Sequence, residues 1–262
     1  MTGPVIGSRP SGLILAIAGA GLVYLLLPVL IVIPMSFSSS RYLTFPPPGW
    51  SLEWYQKFFM DPAWTNAIVT SFKLGLSTAV VATAVGTAAG YGIVRGTFPA
   101  KRLLTAFLLS PLIIPVIVSA ISLYGFYVYL GIAGSFVGVL AAHVVLAIPL
   151  VMISVAASLQ RFDPMFERAS LSLGAGPLRT FWRVTLPNIA PGVLSGALFA
   201  FITSFDELVI VMFVGGRTMT LPRKIWDDLV VLIEPTQAAA STVLVVVSTV
   251  AFGLWALLQR RS

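Results

Sequence analysis

The sequence predicts an all-α integral membrane protein with six transmembrane helices. Three observations predict this fold class. Of the 262 residues, 58% are apolar and only 10% are charged, whereas roughly 25% of the residues in a soluble domain are charged. Several long segments also carry no charge at all, and a transmembrane helix needs about 20 apolar residues. We therefore expect one membrane domain over 12–262, preceded by a short cytoplasmic segment over 1–11.

Segments without Asp, Glu, Lys or Arg locate the expected helices. They cover 10–40, 74–94, 103–160, 184–205 and 235–259. The third segment is long enough for two crossings and is interrupted by Gly and Ser residues over 131–135. The first is longer than the 7–15 apolar residues of a signal-peptide core, which favours a retained anchor. The expected spans are 12–35, 66–94, 103–130, 135–158, 190–214 and 237–258.

The distribution of basic residues predicts that both termini are cytoplasmic, because Lys and Arg accumulate in cytoplasmic loops. With this orientation the inner side carries Arg9, Arg95, Lys101, Arg102, Arg161, Arg168, Arg179, Arg183, Arg260 and Arg261. The outer side carries only Arg41, Lys57, Arg217, Arg223 and Lys224. The net charge of +7 thus indicates inner loops beside anionic headgroups rather than a nucleic-acid partner.

One inner loop, residues 160–187, differs from the others and is called the signature loop below. It carries signals for two short helices separated by a turn. In chain order these are Asp163 as N-cap, Pro164 at the first helical position, Gly174 at the first helix end, Pro177 at the second start and Pro187 near the second end. The residues alone fit either a knob for a soluble partner or an amphipathic pair on headgroups.

The signature loop resembles that of permeases from binding-protein-dependent ABC importers. The family pattern is Glu-Ala-Ala, a Gly four residues after the last Ala, then a β-branched residue, one spacer, Leu and Pro. The residues that match at this spacing are Ala169, Gly174, Val184, Leu186 and Pro187. Arg168 stands where the family has Glu, and Ser170 replaces the second Ala. Glu167 lies one position early, so it either substitutes for the family Glu or that role is absent.

The second half of the chain resembles the spermidine/putrescine-type permeases. The segments that carry this resemblance are Pro191-Gly192, Ser204-Phe205-Asp206-Glu207, Phe213-Val214-Gly215-Gly216, Leu221-Pro222 and Glu234-Pro235. The resemblance implies a type I ABC importer permease fold in the bacterial inner membrane. It also implies a polyamine substrate and a coupling helix that seats in a groove of an ATPase subunit. The coupling residues it implies are Glu167, Arg168, Ala169, Gly174, Leu186 and Pro187.

The resemblance further implies several partners. These are an ABC ATPase dimer, a second permease subunit that is a paralogue, and a periplasmic or extracellular solute-binding protein. The chain has no GxxxxGK[ST] phosphate loop, so ATP and Mg²⁺ are expected in the separate ATPase. We expect no cofactor, no metal and no catalytic residue in this chain. It also has no cysteine, which excludes thiol chemistry.

Three charged residues fall inside expected spans, where a charge is costly and indicates function. At 1.5 Å per residue, Lys73, Asp206 and Glu207 lie roughly 10–13 Å below the outer boundary. One hypothesis pairs Lys73 with one acid, while the other acid meets a cationic substrate in the translocation pathway. The alternative is that both acids are structural.

Other residues in the expected spans favour packing roles. His143 is the only histidine, and we expect it to form a hydrogen bond to a neighbouring helix. Pro111 and Pro115 are expected to kink their helix. Small residues in the second span predict close helix packing. They are Ala84, Gly86, Ala88, Ala89, Gly90 and Gly92.

Three other functions compete with an ATP-driven permease. A secondary transporter or channel could use the charges in the spans, but it has no need for the signature loop. An intramembrane enzyme is disfavoured because the sequence contains no HExxH or GxSxG motif. A structural scaffold does not account for charges inside the membrane.

Overall fold

The computed structural model describes residues 12–259, and its regular structure over that range is helical. Two residues outside the helices, Ser38 and Trp50, form an isolated antiparallel bridge. The helices are α1 (Gly12–Ser36), α2 (Glu53–Met60), α3 (Pro62–Arg95), α4 (Lys101–Leu109), α5 (Val116–Tyr129), α6 (Phe136–Arg161), α7 (Met165–Ser172), α8 (Pro177–Thr180), α9 (Leu186–Phe205), α10 (Val209–Val214), α11 (Leu221–Val231) and α12 (Pro235–Gln259). The predicted all-α class is confirmed. The expected N-terminal segment 1–11 and the residues Arg9, Arg260 and Arg261 lie outside the described range.

Four described helices are long and apolar enough to cross a membrane. They are α1, α3, α6 and the run Pro177–Phe205. A bent pair of helices raises the number to five if it forms one span. The apolar part of α12, Pro235–Val250, is shorter than these four helices. The multi-pass architecture is therefore confirmed, whereas the expected number of six spans is not.

A bent pair of helices occupies the segment where one kinked span was expected over 103–130. Lys101–Leu112 and Val116–Tyr129 meet at an angle of 104°. Pro115 has extended backbone angles, with φ −55° and ψ 132°. A proline has no N–H to donate, and it disfavours helical geometry at the residue before it. The bend expected from Pro111 and Pro115 is thus confirmed.

The described chain forms two compact units. The first contains residues 12–61 and 228–247, and the second contains residues 62–227 and 248–259. In the first unit, the buried Trp54 of α2 donates its indole Nε1–H to the Ser38 carbonyl over 2.7 Å. The Tyr55 hydroxyl lies 2.7 Å from Ser36 Oγ at the end of α1. These contacts fix α2 against the segment that follows α1.

The second unit is built on the packing of α3, α6 and α9. A side chain at Gly86 would put its Cβ 2.6 Å from Val151 Cβ, and one at Gly196 would put its Cβ 3.0 Å from Val151 Cα. A Cβ at Gly90 would lie 3.2 Å from the Met152 carbonyl oxygen. The helices therefore approach closely where glycine occurs, as the small residues of α3 predicted. Gly92 does not share this role, since a Cβ there meets nothing within 4 Å.

The helix that starts at Pro177 does not end near Pro187, contrary to the sequence-based expectation. Residues Phe181–Thr185 form a π-helical turn, and the Leu186 N–H donates to the Phe181 carbonyl five residues earlier. Pro187 cannot donate a helical hydrogen bond, and its ring crowds the preceding turn. A π-turn widens the helix and accommodates this crowding. As a result, the second half of the signature loop continues directly into α9.

Candidate functional site

The first half of the signature loop folds as its sequence predicts. The Asp163 carboxylate accepts a hydrogen bond of 2.8 Å from the Met165 N–H, which caps the start of α7. Gly174 follows the helix with φ +83°, a left-handed conformation that glycine adopts without steric cost. The expected helix and its glycine turn are therefore confirmed as local structure.

Glu167 is the buried acid of the signature loop and is not exposed on its surface. Its side chain is about nine-tenths buried, and its Oε2 lies 2.8 Å from Arg95 Nε at the end of α3. Thr185 Oγ1 donates to Glu167 Oε1 over 2.7 Å. Arg95 also donates from Nη2 to the Phe162 carbonyl over 3.0 Å. A buried charge needs a partner of opposite sign and satisfied hydrogen bonds, and Arg95 and Thr185 supply both to Glu167. Since the three residues lie on different elements, these bonds connect α7 to α3 and to the π-turn.

The other coupling candidates occupy different positions. Arg168, Ala169 and Gly174 are exposed on the loop. Leu186 is half-buried and packs against the apolar cluster that contains Ile189. Pro187 is exposed at the base of α9. The six candidates thus divide into an exposed set on the loop and a set at the junction with the long helices.

Asp206 and Glu207 lie at a break in the expected fifth span. Helix α9 ends at Phe205 and α10 begins at Val209, so the continuous span expected over 190–214 is wrong. The Glu207 Oε1 accepts a hydrogen bond of 2.9 Å from the Ile210 N–H. A carboxylate that binds free N–H groups favours the start of a new helix over continuation of the old one.

The two acids have different surroundings. Glu207 is half-buried and bound to the first turn of α10, whereas Asp206 is exposed. Lys73 is exposed on α3 and, within the described residues, forms no ion pair with Asp206 or Glu207. The structure therefore brings the two acids together at one break but does not pair them with Lys73.

A buried hydrogen-bonded chain connects the three central helices next to this break. His143 Nδ1 of α6 lies 2.7 Å from Ser204 Oγ of α9. Ser204 Oγ in turn donates to Thr78 Oγ1 of α3 over 3.1 Å. The expected hydrogen bond from His143 to a neighbouring helix is confirmed. Because Ser204 is two residues before Asp206, the chain fixes the end of α9 from which the break begins.

Sequence reasoning missed two residues of the site, Arg95 and Thr185. Arg95 was recognised only as a basic residue at the inner end of a span, and Thr185 as a spacer in the signature pattern. The one signal that could have indicated Arg95 is its position at the inner end of a span, on the same expected side of the membrane as Glu167. Their pairing depends on how α3 and α7 pack, which spacing along the chain does not reveal.

The site holds no recognisable metal centre within residues 12–259. No group of three or more His, Cys, Asp or Glu side chains in that range could hold a metal ion. The site contains the Arg95–Glu167 ion pair, exposed arginines and the exposed carboxylate of Asp206.

Comparison with known proteins identifies a family. Residues 82–262 match the family described as "Binding-protein-dependent transport system inner membrane component". The putrescine transport system permease protein PotI of Escherichia coli K12 is 32% identical over 249 residues, which cover 92% of this chain and 88% of PotI. The spermidine/putrescine transport system permease protein PotC of Haemophilus influenzae is 30% identical over 241 residues, which cover 91% and 93%.

Solved structures agree on the fold. A bacterial ABC transporter involved in the import of the acidic polysaccharide alginate has a chain that matches with a TM-score of 0.70 at 16% identity, covering 97% of this chain and 98% of that chain. The MetNI methionine ABC transporter matches with a TM-score of 0.61 at 19% identity, covering 77% and 99%. The fold and the sequence matches together define a membrane permease of the ABC importer type.

The particular family follows from the sequence matches. The chain belongs to the family of binding-protein-dependent transport system inner membrane components. The resemblance inferred from the signature loop and from the second half of the chain is confirmed, as is a multi-pass protein of the inner membrane.

Proposed function

We propose that this chain is the permease subunit of an ATP-driven ABC importer and forms the pathway for a small cationic solute, a polyamine such as putrescine or spermidine. The observation that carries the proposal is the match over 92% of the chain to a permease named for putrescine transport. The exposed carboxylate of Asp206, at a helix break inside an expected span, supports a cationic solute because it offers a compensating charge.

In this proposal the chain works with several partners and binds no cofactor itself. A solute-binding protein delivers the solute on the outer side to a pore made of this chain and a paralogous permease. An ATPase dimer on the inner side uses ATP and Mg²⁺, since this chain lacks a phosphate loop. Both termini are cytoplasmic, which places the signature loop on the ATPase side.

The signature loop transmits the movement of the ATPase to the long helices. Arg168, Ala169 and Gly174 lie on the exposed side that meets the ATPase. Glu167 acts from within, because its bonds to Arg95 and Thr185 join α7 to α3 and to the π-turn. These bonds support a role of Glu167 in coupling although it lies one position before the family Glu. It is a positioning residue for the helices and not a contact to the ATPase.

Movement continues into the membrane through a direct connection. Leu186 and Pro187 lie where the π-turn becomes α9, so a shift of the loop displaces α9 without an intervening flexible segment. The far end of α9 is the break at Asp206, which places the loop and the acids at opposite ends of one helix. A rigid helix that joins two sites is a physical basis for coupling between them.

Asp206 and Glu207 have separate roles in the pathway. The Glu207 carboxylate is bound to the N-terminus of α10, where backbone N–H groups and the helix dipole stabilise it. The exposed Asp206 carboxylate remains available to a cation. Asp206 therefore contacts the solute, and Glu207 holds α10 in place.

Uptake measurements with neutral variants test these roles. In vesicles that contain the complete importer, Asp206→Asn is expected to lower putrescine uptake about tenfold, corresponding to the loss of roughly 1.4 kcal/mol of binding. Glu207→Gln is expected to have a small effect, because the Gln amide oxygen can still accept the Ile210 N–H bond. The double variant is expected to retain its ATPase subunits. Normal uptake by the double variant Asp206→Asn with Glu207→Gln would show that neither acid takes part in the translocation pathway.

A further inference from the structure

The exposed side of the signature loop contains a cleft of about 510 Å³. One wall is formed by Ala169 of α7 and by Leu173, which follows that helix, and the other by the segment that carries Arg179 and Arg183. Leu173, at the rim, is 88% exposed. The cleft thus combines an apolar wall with two guanidinium groups.

Hydrogen bonds hold the two walls of this cleft in a fixed relation. Ser170 Oγ of α7 lies 3.0 Å from Thr180 Oγ1 of α8, and Thr180 is buried. The Glu167 to Thr185 bond joins the same two segments one turn further along. A cleft that exists before a partner arrives requires little ordering on binding.

The charges around the cleft are positive and uncompensated. Arg179 and Arg183 are exposed, and neither forms an ion pair with another residue in the described part of the chain. The two acids of the loop are engaged elsewhere, since Glu167 faces Arg95 and Asp163 caps α7. Arg168, also exposed, puts a positive charge where the family pattern has a Glu.

We propose that this cleft receives an Asp or Glu side chain of the ATPase subunit, an inference that rests on the proposed function. A guanidinium group binds a carboxylate through two parallel hydrogen bonds, and two such groups on one cleft suit a single protruding acid. The apolar rim at Leu173 is covered by the surface around that acid. The ATPase groove for this permease is therefore acidic where it meets α7 and α8.

An anionic lipid headgroup is the competing ligand for the same two arginines. In the proposed function the signature loop meets the ATPase, which favours a protein side chain over a headgroup. The fixed separation of the walls likewise suits a ligand of defined size. The experiment below distinguishes the two ligands directly.

Zero-length cross-linking tests the proposal in the complete importer, reconstituted in nanodiscs that contain phosphatidylserine. Arg179→Lys and Arg183→Lys keep the positive charge and add a primary amine, which a carbodiimide joins to a carboxylate in contact. The expected product is a bond from the new Lys to an Asp or Glu of the ATPase, located by mass spectrometry. Arg161→Lys, which is exposed in the same loop but does not line the cleft, is the matched control.

Charge reversal provides an independent measurement. The double variant Arg179→Glu with Arg183→Glu is expected to weaken binding of the ATPase to the permease about tenfold or more. The double Lys variant keeps the positive charge but loses the paired hydrogen bonds, so it is expected to weaken binding much less. Arg161→Glu changes the net charge of the loop in the same direction and is expected to have a much smaller effect. Exclusive cross-links to phosphatidylserine, or unchanged ATPase binding after charge reversal, would overturn the inference.

The outcome also separates this inference from the proposed function. Uptake of solute with ATP by the wild-type complex, without any cross-link from the Lys variants to the ATPase, rejects the contact between the cleft and an acid of the ATPase. That result leaves the proposed function intact. A wild-type permease that binds no ATPase removes the proposed function and this inference with it.

Discussion

Gly174 has space for a side chain but not a backbone that suits one. Its φ is +83°, and a Cβ at this position would meet nothing within 4 Å. An L-residue in the left-handed region costs about 1–2 kcal/mol, and a β-branched one is less tolerated still. The turn therefore depends on glycine for its conformation and not for close packing.

Gly174→Val is expected to uncouple ATP hydrolysis from uptake, because the strained turn displaces α7 from its position against α8. The measurement is the number of ATP molecules hydrolysed per solute molecule imported, which we expect to rise. Gly176→Val is the matched control, since Gly176 has φ −70° and equally open surroundings. Equal coupling in both variants would show that the turn at Gly174 has no part in transmission.

The local structure of the signature loop was predictable from sequence, but its tertiary contacts were not. Asp163 and Gly174 act within a few residues of their own position, and local signals of this kind are legible in a sequence. Glu167 instead bonds to Arg95, 72 positions earlier in the chain. The choice of that partner depends on helix packing, which is a tertiary property.

At the scale of elements, proline and acidic residues decide where helices continue or stop. Pro187 was expected to end a helix. A π-turn instead makes room for the proline ring, and the helix continues to Phe205. The apolar segment after Phe205 was expected to continue as helix, yet Glu207 binds the Ile210 N–H and a break forms. Hydropathy locates apolar residues, whereas helix continuity depends on individual backbone hydrogen bonds that hydropathy does not register.

The contact between α3 and α6 leads to a prediction about stability. In Gly86→Ala the new methyl carbon would lie 2.6 Å from Val151 Cβ and 3.2 Å from the Ile148 carbonyl oxygen. Overpacking of this kind costs about 1–3 kcal/mol, so the purified protein should melt at a lower temperature. Gly92→Ala on the same helix has no atom within 4 Å and should melt as the wild type does. A Gly86→Ala protein with an unchanged melting temperature would contradict the close approach of these helices.

At the scale of the whole molecule, composition and charge pattern predicted the class of protein correctly. The apolar content and the long uncharged segments indicated a helical membrane protein, and the signature loop indicated the family. The number of spans was less predictable. The bend of 104° between α4 and α5 arises at prolines inside an apolar segment that counts as one span by length. A sequence shows how much chain can cross a membrane, but not the path that a bent segment takes.

In the proposed function the signature loop connects an ATPase to α9, which ends directly before Asp206. The two ends of this connection have opposite chemistry. The loop carries exposed arginines and a buried Glu167, while the far end of α9 exposes a carboxylate. In the proposed function, the ATPase acts on the cationic surface of the loop, and the cationic solute is bound at the acidic break at the other end of α9.

Uptake by reconstituted liposomes tests this claim most directly. Liposomes that contain this chain, the paralogous permease and the ATPase dimer are supplied with the solute-binding protein and labelled putrescine, with and without enclosed ATP. The account predicts uptake that requires both ATP and the ATPase and that falls about tenfold in Asp206→Asn. Putrescine uptake by this chain alone, without ATP or ATPase, would contradict the account and indicate a secondary transporter or channel.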